Sequence, residues 1–518
     1  MHKNQLMKLH TKNPVYLENI HEHQEKVVEI QGWIANKRVS KNVIFLIIRD
    51  GTGFVQAVVG KEDAGEEMYE TARHLTMESS VYVKGSVRKD EKQTGGHEIS
   101  VENLQVYHKA SEYPIGKKEH GVDFLLDHRH LWLRAMSQWA IMRIRNQIIY
   151  QIHQFFQKRG FVQTDAPIFT GNACEGTTTL FETDFFEDKA YLSQSGQLYG
   201  EALAMALNKI YTFGPTFRAE KSKTRRHLSE FWMIEPEMAF HDLEMTMELM
   251  EDFTREVVLN TVKNCKYELE QLNRDTSLLE NVEKPFSKVS YTDAVKILRG
   301  EQKVNGRTSL ELLDAEESEI KNEIKNLEQE AEEIQKELEQ SGLKKGKRNY
   351  KEDQLRRRKV SIKNKQERLK NIPVWRDSAE NFQHGDDFGG SDETILTMLF
   401  GVPVMIYNWP KEIKAFYMKE VDDDPSLVKG VDLLAPEGYG EIVGGAERET
   451  SEEKLLESIE RHQLPKEEFE WYLDLRRYGT VPHSGFGLGL ERFVGWICGI
   501  THIRETIPFP RLMGRLFP

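Results

Sequence analysis

The chain has 518 residues, 30% of them charged, and a formal net charge of −13, which predicts a soluble protein of two or more domains, each with its own core. The acidic balance excludes a protein coated in basic surface, and three scattered cysteines, Cys174, Cys265 and Cys498, exclude a disulfide framework or a zinc site. No apolar run reaches the roughly 18 residues of a membrane span, and Met1-His2-Lys3-Asn4 does not open a secretory signal, so a cytoplasmic protein without membrane association is expected.

Residues 1–24 carry no clear motif. Residues 27–108 read as five β-segments, Val27 to Arg38, Val43 to Arg49, Phe54 to Val59, Ser80 to Arg88 and His97 to His108. A helix over Asp63 to Leu75 falls between the third and fourth, and Asp50-Gly51-Thr52-Gly53 is a turn between the second and third. That order predicts an OB-fold barrel, a scaffold that binds single-stranded nucleic acid by stacking bases on aromatic side chains. Lys37, Arg38 and Lys41 form a local basic stripe, as do Lys221, Lys223, Arg225 and Arg226; each taken alone reads more simply as solvated surface.

The first domain is therefore placed at residues 1–110, with a connector at 111–135 and a second domain at 136–518. In the second domain Ile141, Ile144, Ile148, Ile152 and Phe155 form one apolar helical stripe, and Gly160 closes the helix. Phe161 to Ile168 reads as a strand that Pro167 confines to a sheet edge or end. Later strands and helices lack a regular βαβ alternation, which predicts an α+β domain on an antiparallel sheet.

One insertion, residues 310–372, stands apart. Ile320, Ile324, Leu327, Ala331, Ile334 and Leu338 alternate spacings of four and three, the seam of a coiled coil, and Leu355, Ile362 and Leu369 repeat every seven residues after Ser341-Gly342. The first arm is acidic and the second basic, which predicts an antiparallel hairpin with complementary faces. The basic arm could also clamp RNA, although the internal complementarity needs no partner.

The chemistry lies in Phe217-Arg218-Ala219-Glu220 leading to Arg226-His227-Leu228-Ser229-Glu230-Phe231, and in Gly485-Phe486-Gly487-Leu488-Gly489-Leu490-Glu491-Arg492. No Gly-x-x-x-x-Gly-Lys-Ser/Thr loop is present, and Gly-x-Gly-x-Gly with no crossover unit is not a dinucleotide fingerprint. The two stretches resemble motifs 2 and 3 of the class II aminoacyl-tRNA synthetases. The resemblance implies ATP binding by Arg218, Glu220, Arg226, His227, Phe231, Glu441 and Arg492. Within that set Arg218 contacts the α-phosphate and the amino acid carboxylate, and Arg492 the γ-phosphate. Phe231 stacks under adenine with Arg492 above it, and Glu220 accepts from the adenine amino group. Arginine suits these tasks because its planar fork grips phosphate and carboxylate bidentately and keeps its charge. Asp432 and Glu441, in a stretch like the family's acidic strand region, are the expected ligands of the Mg²⁺ that accompanies ATP.

The barrel, Pro167, His227-Leu228-Ser229-Glu230-Phe231 and Arg477-Tyr478-Gly479 narrow the resemblance to the aspartyl, asparaginyl and lysyl subgroup. Phe231-Trp232-Met233-Ile234-Glu235-Pro236-Glu237 and Ser195-Gly196-Gln197-Leu198 resemble the asparaginyl members; aspartyl members carry Ser-Pro-Gln, an aspartate in place of Glu235 and a lysine in place of Gly200. Asparagine and aspartate are nearly isosteric, so charge and hydrogen-bond polarity must separate them. On this reading Arg477 donates to the substrate side-chain oxygen, Glu235 accepts from its amide, Glu175 holds the ammonium, and Ser195 and Gln197 line the pocket. Phe45 would stack on the central anticodon base while Gln56 and Glu98 read its edge; alternation alone leaves open whether Phe45 faces the barrel core. The implied reaction is formation of asparaginyl-adenylate from L-asparagine and Mg-ATP, then transfer to tRNA(Asn), by a homodimer joined through motif 1 and without a covalent enzyme intermediate. A nondiscriminating aspartyl-tRNA synthetase is the alternative.

Overall fold

In a computed structural model of the chain, the structure describes residues 10–91, 94–116, 118, 120–171, 174, 179–221, 224–339, 343 and 345–518. Two compact units are formed by Met1–Trp139 with Pro518 and by Ala140–Phe517. Among the described residues no helix is long and apolar enough to cross a membrane.

The first unit holds strands β1 (Val27–Val39), β2 (Val43–Arg49), β3 (Phe54–Gly60), β4 (Ser80–Lys89) and β5 (His97–His108), with the Lys61–His74 helix after β3. They close into a barrel in the order β1-β2-β3-β5-β4, as the predicted OB-fold requires. Only β3 and β5 run parallel. Strict alternation sends Ile44, Leu46 and Ile48 of β2 inward, each fully buried, so the intervening residues face the other way. The segment read as a connector carries two short helices, Val122–Asp127 and Arg129–Trp132.

The second unit is built on a sheet whose strands lie side by side in the order Ser287–Ser290, Val404–Pro410, Asp424–Ala435, Gly440–Glu447, His483–Gly489, Glu230–Ala239, Lys209–Phe217 and Val162–Thr164. The expected antiparallel sheet is thus extended by a parallel pair at each edge, Ser287–Ser290 with Val404–Pro410 and Val162–Thr164 with Lys209–Phe217. The strand read over Phe161 to Ile168 shrinks to Val162–Thr164, because Pro167 has no N–H to continue a ladder; Phe169–Thr170 pairs in a separate three-stranded sheet. The predicted apolar stripe is the buried face of the Met136–Lys158 helix: Ile141, Ile144, Ile148, Ile152 and Phe155 are all within 1% of complete burial.

The insertion is a hairpin of two helices, Ser309–Glu339 and Lys345–Asn381; the second runs through Pro373 beyond the limit at 372 read from the heptads. Lys351, Arg358 and Lys365 meet Glu337, Glu330 and Glu323, one heptad apart on each arm and in opposite directions. The root is packed around Leu312, Leu313, Ile320, Ile324, Ile372 and Ala379, whereas Leu327, Ala331 and Ile334 are only half-buried.

Candidate active site

Two cavities open on one face of the large sheet and share Arg218, Met233, Glu441 and Gly487. Arg218 follows directly on the Lys209–Phe217 strand, Phe231 lies at the start of Glu230–Ala239, and Glu441 on Gly440–Glu447. Arg492 stands in the first turn of the Leu490–Cys498 helix, which begins where the glycine-rich strand ends. Strands adjacent in the sheet thereby gather residues more than 250 positions apart in sequence.

The first cavity is lined by all seven residues expected to hold ATP: Arg218, Glu220, Arg226, His227, Phe231, Glu441 and Arg492. The Arg218 guanidinium lies 5.5 Å from the Phe231 ring centre. Arg492 Nη1 donates to the Glu441 carbonyl oxygen at 2.8 Å and stands 3.7 Å from the Glu441 carboxylate. Arg226 is held by the Gly438 carbonyl and, at 3.3 Å, by Glu393. His227 Nε2 lies 3.5 Å from Glu220, and burial together with Arg492, Arg218 and Arg226 holds its pKa below the ordinary value despite Glu220. Burial, reinforced by the Glu441 charge, pushes the Glu393 carboxyl up to about 7. A further support was not legible in the motif: Glu491, beside Arg492, is buried, pairs with Arg145 of the Met136–Lys158 helix at 2.7 Å and accepts from Trp232 N at 2.9 Å.

The second cavity contains the expected Ser195, Gln197 and Glu235 together with Glu237, Lys414, Asp432 and Arg448. Glu235 accepts from Ser195 Oγ at 2.5 Å, Gly196 N at 2.9 Å and Thr212 Oγ1 at 3.2 Å, a cradle that fixes its carboxylate against the cavity wall. Gln197 Nε2 donates to Glu201 at 3.0 Å. Arg448 forms a forked pair with Glu237, Nη2 at 2.5 Å and Nε at 3.3 Å. Burial, with the Glu201 and Glu235 charges nearby, pushes the Glu237 carboxyl up to about 7 while Arg448 draws it back. Space around Glu237 depends on glycine: a Cβ on Gly485 would lie 2.3 Å from its carboxyl group, and one on Gly200 3.1 Å from its Cγ.

Arg477 is a correction. It lies at the end of the surface helix Glu470–Arg477, bonded to Glu452 at 2.7 Å and to Glu470 and Asp474 at 3.0 Å, and lines neither cavity. The helix buries Tyr472, Leu473 and Arg476, and one residue further on the side chain has turned about 100° toward solvent. The guanidinium that reaches the second cavity is Arg448, just past the strand Gly440–Glu447. The signal for it was the Gly444-Gly445 pair, which lets that strand lie against the glycine-rich one, with an arginine in strand register immediately after.

Asp432 and Glu441 do come together. They lie on adjacent strands on either side of Gly444, whose Cβ would sit 3.5 Å from Asp432 Oδ1 and 2.8 Å from Glu441 Oε1. Asp432 already bonds Lys414 Nζ at 2.6 Å, and burial pushes its carboxyl up to about 7 against that lysine. Among the described residues no group of three or more His, Cys, Asp or Glu gathers closely enough to hold a metal unaided. The fit is to an oxygen-seeking cation that takes most of its ligands from substrate and water, as Mg²⁺ does. Glu175 lies outside the described residues, as does Lys223.

In the barrel Phe45 is half-buried on the outer face, with the Arg38 guanidinium 4.4 Å from its ring centre. Gln56 and Glu98 are register partners on β3 and β5 and bond at 3.2 Å.

A family model described as tRNA synthetases class II (D, K and N) matches residues 121–513, and one described as OB-fold nucleic acid binding domain matches residues 28–107. The asparagine–tRNA ligase of Pelotomaculum thermopropionicum is 46% identical over 504 residues, covering 97% of this chain and 99% of its own. That of Sorangium cellulosum is 48% identical over 497 residues, covering 96% and 97%. Among solved structures, asparaginyl-tRNA synthetase from Pyrococcus horikoshii complexed with asparaginyl-adenylate superposes with a TM-score of 0.80 at 38% identity, covering 98% of this chain and all of that one. The Entamoeba histolytica enzyme in complex with asparaginyl-adenylate gives 0.72 at 26% identity, covering 96% and 97%.

Proposed function

The chain belongs to the class II tRNA synthetases (D, K and N), and we propose that within this family it ligates L-asparagine to tRNA(Asn) using ATP. The observation that carries the reading is the position of Arg218 at the junction of the two cavities. A carboxylate and an α-phosphate are both anionic and repel each other; one guanidinium bridging them offsets that repulsion and aligns the attack. A carboxylate oxygen of asparagine bonds to the α-phosphorus, the bond to the β-phosphate oxygen breaks, and pyrophosphate leaves. The terminal adenosine hydroxyl of tRNA then attacks the acyl carbon, and AMP is released. No protein nucleophile is required.

In the first cavity Phe231 and Arg492 sandwich adenine, Glu220 accepts from its amino group, and Arg226 and His227 line the triphosphate path. Glu441, with Asp432 behind it, would hold Mg²⁺, which neutralises the leaving pyrophosphate; the Asp432 bond to Lys414 leaves Glu441 the more available ligand. In the second cavity Arg448 donates to the side-chain carbonyl and Glu235 accepts from the amide. Because Glu237 already pairs with the Arg448 charge, the wall favours an uncharged carboxamide over a carboxylate. Phe45 on the outer face and the bonded Gln56–Glu98 pair support anticodon binding by the barrel. Exposed Tyr150 on the Met136–Lys158 helix and exposed Val162, Ile168 and Phe169 around Pro167, which stands in the motif 1 position by resemblance, support a homodimer. A role in charging tRNA for translation supports a cytoplasmic location.

ATP–pyrophosphate exchange tests the reading. Exchange should depend on asparagine; comparable exchange with aspartate would replace the substrate assignment with that of a nondiscriminating aspartyl enzyme and leave the fold intact. Tight tRNA binding without exchange for any amino acid would remove the enzymatic reading altogether.

A further inference from the structure

Arg226 reaches the first cavity from the connection between the Lys209–Phe217 and Glu230–Ala239 strands, and its guanidinium sits in a slot built by two other segments. One wall is the Gly438 carbonyl, which accepts from Nη2. The other is the first turn of the Gly390–Phe400 helix, where one Glu393 carboxylate oxygen accepts from Arg226 Nη1 and the other from Glu441 N, each at 3.3 Å. Two glycines leave the room. The three atoms nearest a Cβ on Gly390 would all belong to the Arg226 guanidinium, the first at 2.7 Å, and a Cβ on Gly440 would collide with the Glu393 carboxylate and lie 3.0 Å from Arg226 Nη1. The helix start is itself anchored, since Asp392 accepts from Ser378 Oγ of the second hairpin helix at 2.7 Å and from Gly389 N at 2.9 Å.

We propose that Gly390 and Glu393 are positioning residues for ATP: they seat Arg226 so that its guanidinium is aimed at the triphosphate before the nucleotide arrives. The inference rests on the ATP reading of the first cavity and deepens it. Neither residue lines the cavity, so both act through Arg226. An arginine on a connection must give up rotamer freedom to grip a phosphate, and a seat that fixes it beforehand removes that cost from binding. The guanidinium carries more N–H groups than the seat engages, which leaves donors for phosphate oxygens. The Glu393 carboxylate also faces the Glu441 and Arg492 charges, so the decisive variant is one that moves Arg226 and alters no charge.

That variant is Gly390→Ala in the full chain, read as KM for ATP and KM for asparagine in pyrophosphate exchange. Gly390 is exposed, and alanine is a good helix former, so the added methyl group disturbs only the seat. KM for ATP should rise about tenfold while KM for asparagine stays within about twofold; a general disturbance of the fold would move both. In an Arg226→Ala background Gly390→Ala should change KM for ATP by less than about twofold, because the methyl group then has nothing to displace. Glu393→Gln weakens the seat from its other side and should raise KM for ATP about threefold or more; it decides the matter if Gly390→Ala does not fold. A rise below about threefold in Gly390→Ala, equal rises for the two substrates, or a Gly390→Ala effect that persists without the Arg226 side chain would overturn the proposal. An unchanged KM for ATP in Glu393→Gln or in Arg226→Ala would overturn it as well. Wild-type protein lacking asparagine-dependent exchange would instead overturn the reading beneath it.

Discussion

On the hairpin, Lys351, Arg358 and Arg368 meet Glu337, Glu330 and Glu316 at 2.6–2.8 Å, with every side chain partly in solvent. At and behind the wall of the second cavity, Arg448 and Arg476 meet Glu237 and Glu201 at 2.5 and 2.8 Å, with every side chain at most 3% exposed. The distances are alike and the energetics are not. In water an ion pair contributes roughly 0–1 kcal/mol, because solvent screens it and two long side chains lose freedom. In the interior, loss of one partner strands the other and costs about 3–5 kcal/mol. The hairpin can therefore tolerate charge substitutions that the cavity wall cannot.

The largest expected effect is at the junction of the cavities. On the proposed reading Arg218→Ala removes the charge that bridges carboxylate and α-phosphate, and it should lower kcat/KM in exchange by about a thousandfold or more. tRNA binding, measured by filter retention, should stay within about twofold, because the proposed anticodon face lies in the other unit; equal loss of both would indicate misfolding.

Gly485→Ala comes next. The new Cβ cannot coexist with the observed Glu237 position, so the Arg448 pair must shift. Asparagine kcat/KM should fall about 100-fold, mostly through KM. Retention of wild-type KM would mean that the Glu237–Arg448 pair does not shape the pocket.

A smaller effect concerns pH. Glu393 has a folded pKa of about 7, above the usual carboxylate value, so its proton binds the folded state more tightly than the unfolded one. Its contribution to stability is complete below about pH 4 and is lost as pH rises through about 7. The Tm of ligand-free protein should therefore fall by about 1–2 °C more between pH 6 and 8 than that of Glu393→Gln. Parallel pH profiles for the two proteins would refute the assignment.

The smallest effect belongs to the hairpin, where Arg358→Ala should change unfolding free energy by less than about 0.5 kcal/mol. A loss above roughly 2 kcal/mol would erase the contrast between the two regions.

Legibility followed the same division. The barrel strands lie within a residue or two of the segments read from alternation, and the hairpin arms follow from heptads, because both are surface-against-core patterns. Arg218, Phe231 and Arg492 were legible because they sit inside short motifs. Arg448, Glu237 and Glu201 were not: a pattern that assigns charged residues to the surface has no place for a buried ionic cluster, whose partners lie as far as 275 positions apart. Arg477 shows the limit within one helix, where the residue before it is the buried one. The parallel edge strands escaped for a related reason, since strand direction depends on connections between distant segments rather than on local alternation.

The most direct test is to supply wild-type protein with ATP, Mg²⁺, tRNA and equimolar asparagine and aspartate, and to identify the amino acid esterified to the tRNA by mass spectrometry. The account predicts asparaginyl-tRNA with aspartyl-tRNA near background. Aspartyl-tRNA in comparable yield would contradict it.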